Sequence, residues 1–270
     1  TGPVFLTYRD DREISEIVDR VKGTSPENDL VAADGIRHTT WAIRDKAVIA
    51  RLQSLFAQVP NFYVADGHHR TAAAAIVGQE RKAANPNHRG DEEYNFFLAV
   101  CFPESQLRIM DYNRVVKDVN GLSPEDFLGK IRKNFSVQQA SKQVRPSRKG
   151  EFGLYFDRKW YLLTSNKSLA NQSDPVLRLD VSVLQNYLLD PVLGIRDPRT
   201  DKRIDFVGGI RGLGELEKRV DSGEMKAAFS LFPTSVKELM SIADAGKVMP
   251  PKSTWFEPKL RDGLFTHVLD

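Results

Sequence analysis

Asn61 to Gly78 read NFYVADGHHRTAAAAIVG, and the reading of this stretch decides what kind of fold carries it. Phe62 to Ala65 form an apolar run short enough for a buried strand. Asp66-Gly67-His68-His69-Arg70 follow, then a run of alanines that predicts a helix opening near Arg70 and fraying by Gly78. A strand that hands over through glycine to a helix directs the first helical N–H groups at whatever lies above the strand end. Those donors lack partners within the helix, and with the positive end of the helix dipole they favour an anion.

The side chains at this junction agree with that bias. Gly67 permits close approach and an unusual turn. Arg70 adds a planar, always-charged fork suited to two phosphate oxygens, and Thr71 is grouped with it as a phosphate contact. His68 and His69 can donate to phosphate or move a proton near neutral pH. Asp66 can accept a proton from a hydroxyl or hold a metal ion beside a phosphate. The cluster reads as a site of phosphate recognition or transfer, with Asp66, His68 and His69 as catalytic candidates. The plain alternative is a polar surface turn in which Asp66 only caps the helix. A resident zinc site is not indicated: there is no His-Glu-x-x-His and no cysteine pair, and adjacent histidines rarely converge on one tetrahedral ion.

Outward from the junction, strand and helix signals alternate. Val4 to Tyr8 read as a strand, and Ile14, Ile17, Val18 and Val21 recur at helical spacing. LVAADGIRHTTWAI predicts a hairpin turning at Asp34-Gly35, and Asp45 an N-cap for a helix bearing Val48, Leu52, Leu55, Phe56 and Val59. YNFFLAVCF and LRIMDY predict strands, and Ser123-Pro124 opens a helix with Phe127, Leu128, Ile131 and Phe135 on one face. Further on, FGLYFDRKWYLLT predicts a hairpin, DVSVLQNYLL a helix capped by Asp180, and AAFSLFP a strand leading to a helix that Gly246 ends. KVMPPKSTWFEPKLRDGLFTHVLD predicts extended chain and a terminal strand. The polar stretch QQASKQVRPSRKGE lacks periodicity and marks a boundary. The expected organisation is a mixed α/β or α+β fold with domains at 1–139 and 151–270 and a linker at 140–150.

Composition narrows the function classes. The 270 residues allow a sizeable core, and 41% hydrophobic with 28% charged residues is the balance of a soluble globular chain. A net charge of +3 from 39 basic and 36 acidic residues is too even to favour nucleic acid or membrane as a bulk partner. One cysteine, Cys101 in FFLAVCF, builds no disulfide framework, so a buried structural thiol in a reducing cytoplasm is expected. No membrane-length apolar run or signal peptide is visible, and the start at TGPVFLTY without Met has the look of a fragment or processed product.

Other constellations carry two readings each. GIRDPRTDKRIDFVGGIRG holds Arg199, Lys202, Arg203 and Arg211 among aspartates: a solvated loop of self-paired charges, or a glycine-containing loop that offers cations to a phosphate. It is not a Walker loop, since Gly-Lys-Ser/Thr is absent. In VMPPKSTWFEPKL the prolines can hold Lys252 and Ser253 in place for an oxyanion, or the segment can be a crossing pinned by Trp255 and Phe256. Arg37 and His38 in GIRH, and Asn113 and Arg114 in DYNRVVKD, are candidate substrate contacts, with exposed strand and Asn-stabilised turn as their plain readings. His88 and His267 have no supporting neighbours in sequence.

YVADGHHRTAAAA resembles the Asp-Gly-His-His-Arg box of the ParB/sulfiredoxin-like superfamily, which includes the free-serine kinases. More closely, the chain resembles the family called domain of unknown function 1015. The matching pieces are GPVFLTY, YVADGHHR, YNFFLAV, YNRVVKD, LDVSVLQ, GIRDPRTDKRIDFVGGIRG, FPTSV, DAGKVMPPKSTWFEPKL and, near the end, GLF and HVL. The resemblance implies a ParB-like nucleotide-binding core over residues 1–139. It also implies phosphoryl transfer to or from the hydroxyl of serine, with ATP or ADP and Mg2+ as cofactors. It raises the loop residues Arg199, Lys202, Arg203 and Arg211 as phosphate or nucleotide contacts. It further implies an additional N-terminal segment with a His-Glu-containing stretch. Two other readings stand beside it: a ParB-type nucleotide switch and a non-catalytic metabolite sensor. Expected partners are small molecules, serine or phosphoserine, with neither membrane nor nucleic acid.

Overall fold

The structure is a computed structural model and describes residues 2–170, 172–261 and 263–268. It comprises two compact units. The first runs to Leu107 and takes in the segment from Lys259, and the second is Arg108–Pro258.

In the first unit the elements are β1 (Val4–Tyr8), α1 (Arg12–Lys22), β2 (Asn28–Val31), β3 (Arg37–Thr40), α2 (Lys46–Phe56), β4 (Tyr63–Asp66), α3 (His68–Ala84) and β5 (Ala99–Pro103). Strand β1 is central, antiparallel to β4 and parallel to β5. Asp11 caps α1 by accepting the Ile14 N–H at 2.9 Å, and Asp45 caps α2 through Ala47 and Val48. The helices bury Ile14, Ile17 and Leu55 against Tyr8. Cys101 packs half-buried on the same cluster, and burial pushes its thiol above the usual range, as suits a structural thiol. Strands β2 and β3 form their own hairpin, with Gly35 in the left-handed region at φ 80°.

Two expectations are corrected here. Helix α3 continues past Gly78 to Ala84, because Gln79 to Ala84 are strong helix formers and Arg81 and Lys82 complement the C-terminal dipole. Gly78 serves close approach instead: a Cβ there would stand 3.1 Å from the Tyr94 carbonyl oxygen. In YNFFLAV the strand begins only at Ala99, after a 3₁₀ turn at Glu93–Asn95.

The second unit contains β6 (Arg108–Met110), β7 (Tyr112–Val116), α4 (Pro124–Ile131), β8 (Phe135–Ala140), β9 (Glu151–Phe156), β10 (Lys159–Ser165) and α5 (Lys167–Ala170). It continues with α6 (Asp180–Leu184), α7 (Asp190–Leu193), β11 (Ile204–Gly208), α8 (Leu213–Asp221), β12 (Ala227–Leu231), α9 (Val236–Asp244) and β13 (Trp255–Glu257). Six strands form one antiparallel sheet in the order β11-β7-β12-β9-β10-β8. The period of two sorts side chains to its faces. Phe152, Leu154 and Phe156 join Phe127 and Ile131 of α4 and Ile242 of α9, while Tyr155 joins Trp160 and Leu213 and Leu216 of α8. Strands β6 and β13 pair separately.

The stretch 140–150 connects β8 to β9 within this one sheet, so it lies inside the second unit. Its Val144 is buried, and the Val144 carbonyl accepts the Ser230 hydroxyl at 2.7 Å. Asp180 is the first helical residue of α6 and not its cap. Its carboxylate turns instead to the Gly150 N–H, a tertiary donor that outcompetes the local one. Residues 263–268 adopt no strand, and the last two residues of the expected terminal strand lie outside the described residues. Among the described residues no helix is long and apolar enough to cross a membrane.

Gly153 sits where β9 meets that buried segment, and a Cβ there would collide with the Ser230 hydroxyl, reach 2.5 Å from the Val144 carbonyl oxygen and 3.1 Å from the Trp160 ring. Because one obstacle is backbone, Gly153→Ala is expected to destabilise the protein by about 1–3 kcal/mol. Urea unfolding of the two proteins checks this, and an unchanged midpoint contradicts the packing described.

Candidate functional site

The junction between β4 and α3 is built around Gly67, which caps the helix at φ 92° and ψ 26° without any side-chain cap bond. Asp66 ends β4 opposite Phe5 and does not cap α3. One carboxylate oxygen accepts the N–H of Gly67 at 2.9 Å, leaving the other open. Asp66, His68 and His69 are exposed. The N–H groups at the start of α3 therefore stay open to a ligand. Thr71 is committed more locally: its N–H and its hydroxyl both donate to the Gly67 carbonyl, at 2.9 and 3.1 Å.

Arg70 folds back over the glycine, placing Nη2 at 3.0 Å and Nε at 3.2 Å from where a Cβ on Gly67 would stand. The left-handed backbone favours glycine here, and a side chain would in addition press on the arginine. Nε of Arg70 is buried without a hydrogen-bond partner. An unsatisfied buried donor on a charged group is costly, and an acceptor brought by a ligand removes that cost. Arg70 also lines a cavity of about 130 Å³ with Val4, Val77, Tyr94, Phe96, Phe97 and His267. Asp66, His68 and His69 are not in that lining, so the junction and the cavity share Arg70 alone. Tyr94, Phe96, Phe97 and His267 were not among the candidates from sequence. His267 bonds Glu93 at 2.8 Å, and a partner so far away in sequence leaves no local signal.

The remaining candidates sit in varied surroundings. Arg37 is clamped by the Asp29 carboxylate, with Nε at 2.7 Å from one oxygen, while Nε2 of His38 is buried without a partner. In the second unit, Arg199 pairs with Asp197 and Arg203 with Asp201, and Arg203 also donates to the carbonyls of Leu193 and Gly194 at 3.0 and 3.1 Å. For these two the self-paired loop describes the structure. Lys202 and Arg211 are exposed and, among the described residues, have no ion-pair partner.

Asn113 and Arg114 are buried in β7. The Asn113 amide is engaged at both its nitrogen and its oxygen, donating to Asp111 at 2.7 Å and accepting the Leu231 N–H at 3.0 Å. Arg114 donates to the carbonyls of Tyr112 and Lys252, stacks 5.3 Å from the Phe206 ring, and burial pulls its pKa down to about 10. It therefore fixes the backbone of Lys252, a residue at φ 54° whose ammonium stays exposed near the Tyr112 ring. The Ser253 hydroxyl is buried and donates to the Pro250 carbonyl. No group of three or more potential metal ligands occurs among the described residues.

The fold and junction together define a mixed α/β protein whose open helix start presents an acid, two imidazoles and a guanidinium. The chain belongs to the family described as protein of unknown function (DUF1015), whose model matches residues 1–182. A search of the curated proteins finds no match. Among solved structures, the chain is similar to free serine kinase in complex with AMP at 13% identity, covering 94% of this chain and 83% of that one with a TM-score of 0.40. It is also similar to a conserved hypothetical protein from Pyrococcus furiosus at 16% identity, covering 93% and 86% with a TM-score of 0.39.

Gly67→Ala is expected to cost about 1–2 kcal/mol from the left-handed backbone alone. It should also drive Arg70 from its place and weaken binding of inorganic phosphate or sulfate. Thermal melts with and without sulfate test both effects. Equal sulfate stabilisation in the two proteins contradicts an anion site at this turn.

Proposed function

We propose that the protein is a phosphotransfer enzyme acting on the hydroxyl of a small metabolite, serine or phosphoserine, at the Asp66–Arg70 junction. The observation that carries the reading is the unpartnered Nε of Arg70 beside a helix start that no side chain caps. Phosphoryl transfer asks chiefly for positioned charge, and this junction offers it. The N–H groups at the start of α3 and the Arg70 guanidinium would grip the phosphoryl oxygens. The open oxygen of Asp66 would accept the proton of the attacking hydroxyl, and His68 or His69 would donate to the phosphate. We further assign the first unit to the ParB/sulfiredoxin-like group, on the strength of its Asp-Gly-His-His-Arg box.

ATP or ADP would be the phosphate donor or acceptor. Mg2+ commonly binds through one or two carboxylates plus substrate phosphates and waters. The single open oxygen of Asp66 fits an ion that arrives with the nucleotide. When bound, such an ion would neutralise phosphate charge.

The test follows phosphorus by NMR in mixtures of serine with ATP or ADP, and of phosphoserine alone, with magnesium. Turnover is expected, falling by on the order of 10²–10⁴ in Asp66→Asn and about 10²–10³ in Arg70→Ala. Turnover equal to that of the unaltered protein in both variants would overturn the assignment.

A further inference from the structure

The second unit contains a cavity of about 310 Å³ whose lining includes Lys149, Leu179, Asp180, Phe232, Ser235 and Glu238. Asp180 is only 7% exposed. A carboxylate has room for about four donors, yet both oxygens of Asp180 share one, the Gly150 N–H at 3.0 and 3.1 Å. The cation at hand, Lys149, is drawn away into an ion pair with Glu238. Glu238 is held in turn by the N–H and hydroxyl of Ser235, each at 3.0 Å, in the capping box that starts α9. The Thr234 hydroxyl, also in the lining, is engaged with the Ser253 carbonyl at 3.1 Å.

The charges facing Asp180 are therefore Lys149 from the loop before β9 and Glu238 from α9. With Asp180 ionised, two negative charges meet one positive charge, and the lining carries a net −1. A buried carboxylate without a counter-ion is an unfavourable arrangement that a bound cation corrects. Phe232 and Leu179 add an apolar wall, which a hydrated metal ion does not need and an organic cation does.

We propose that this cavity binds a small primary ammonium compound, with Asp180 as its counter-ion and Glu238 as a second acceptor. The inference is independent of the phosphotransfer reading. Burial pushes the Asp180 carboxyl up to about 7, against the pull of the Gly150 N–H and Lys149 and with the push of Glu238. Ammonium binding to the ionised form must then release a proton to solvent. Affinity should rise about tenfold per pH unit below the Asp180 midpoint and level off above it.

The experiment uses the full chain labelled with carboxyl-13C aspartate, the Asp180 signal being identified by its loss in Asp180→Asn. Ethylammonium chloride is titrated in, with sodium chloride at equal ionic strength as control. Ethylammonium is expected to lower the Asp180 midpoint by a unit or more, and sodium to leave it in place. Glycine as a second probe separates a bare amine site from one that also takes the carboxylate of a free amino acid. Lys149→Met removes the competing cation and is expected to tighten ethylammonium binding. It keeps the proposal testable if Asp180→Asn fails to fold. An Asp180 midpoint unmoved by both probes, or weaker binding in Lys149→Met, would overturn it.

Discussion

The first unit turns on one backbone conformation, the left-handed Gly67. A strand ending at Asp66 can run directly into a helix starting at His68 only if the intervening residue reverses the chain without a side chain. The same residue leaves the space that the Arg70 guanidinium occupies. One constraint thereby fixes three things: the direction of α3, the openness of its first N–H groups, and the place of the arginine. Had Asp66 capped the helix, one of those donors would be satisfied and the positive end of the dipole partly neutralised. Its turn toward the Gly67 N–H leaves the helix start available.

The second unit depends on a different principle, the satisfaction of buried polar groups. Asn113 ties β7 to β12 through the Leu231 N–H, and Arg114 anchors the backbone at Lys252. Asp111, which accepts from Asn113, lies so close to Gly209 that any side chain there would displace it. These contacts explain why polar residues sit in a sheet otherwise filled by phenylalanine and leucine. Each has its partners in place, and a satisfied polar network specifies one arrangement of strands.

Much of this was legible in the sequence where the signal is local. The helix starts at Asp45 and Ser123, the turn at Asp34-Gly35 and the alternation in FGLYF each rest on a few adjacent residues, and the strand–glycine–helix junction was read the same way. What escaped depends on distant partners. Local sequence does not reveal that Arg114 is buried and Arg211 exposed, because the carbonyls of Tyr112 and Lys252 that receive Arg114 are placed by the fold. Val144 hides in a polar stretch because its burial is supplied by a sheet face built from strands far along the chain. Helix α3 outran Gly78 because one glycine costs only about 1 kcal/mol against favourable neighbours.

Two carboxylates in contrasting surroundings, Asp66 and Asp180, clarify how environment assigns roles to one residue type. Asp66 is exposed at a strand end and keeps an oxygen open to solvent. Its open oxygen can meet a donor or a cation that a ligand brings. Asp180 is enclosed, with one donor for two oxygens, and burial disfavours its charged form. A fold stabilised by that residue alone would have no use for the acid, since an asparagine could accept the Gly150 N–H equally well and carry no charge into the interior. The carboxyl and the cavity make physical sense together: each is a defect by itself, and a cation between them resolves both.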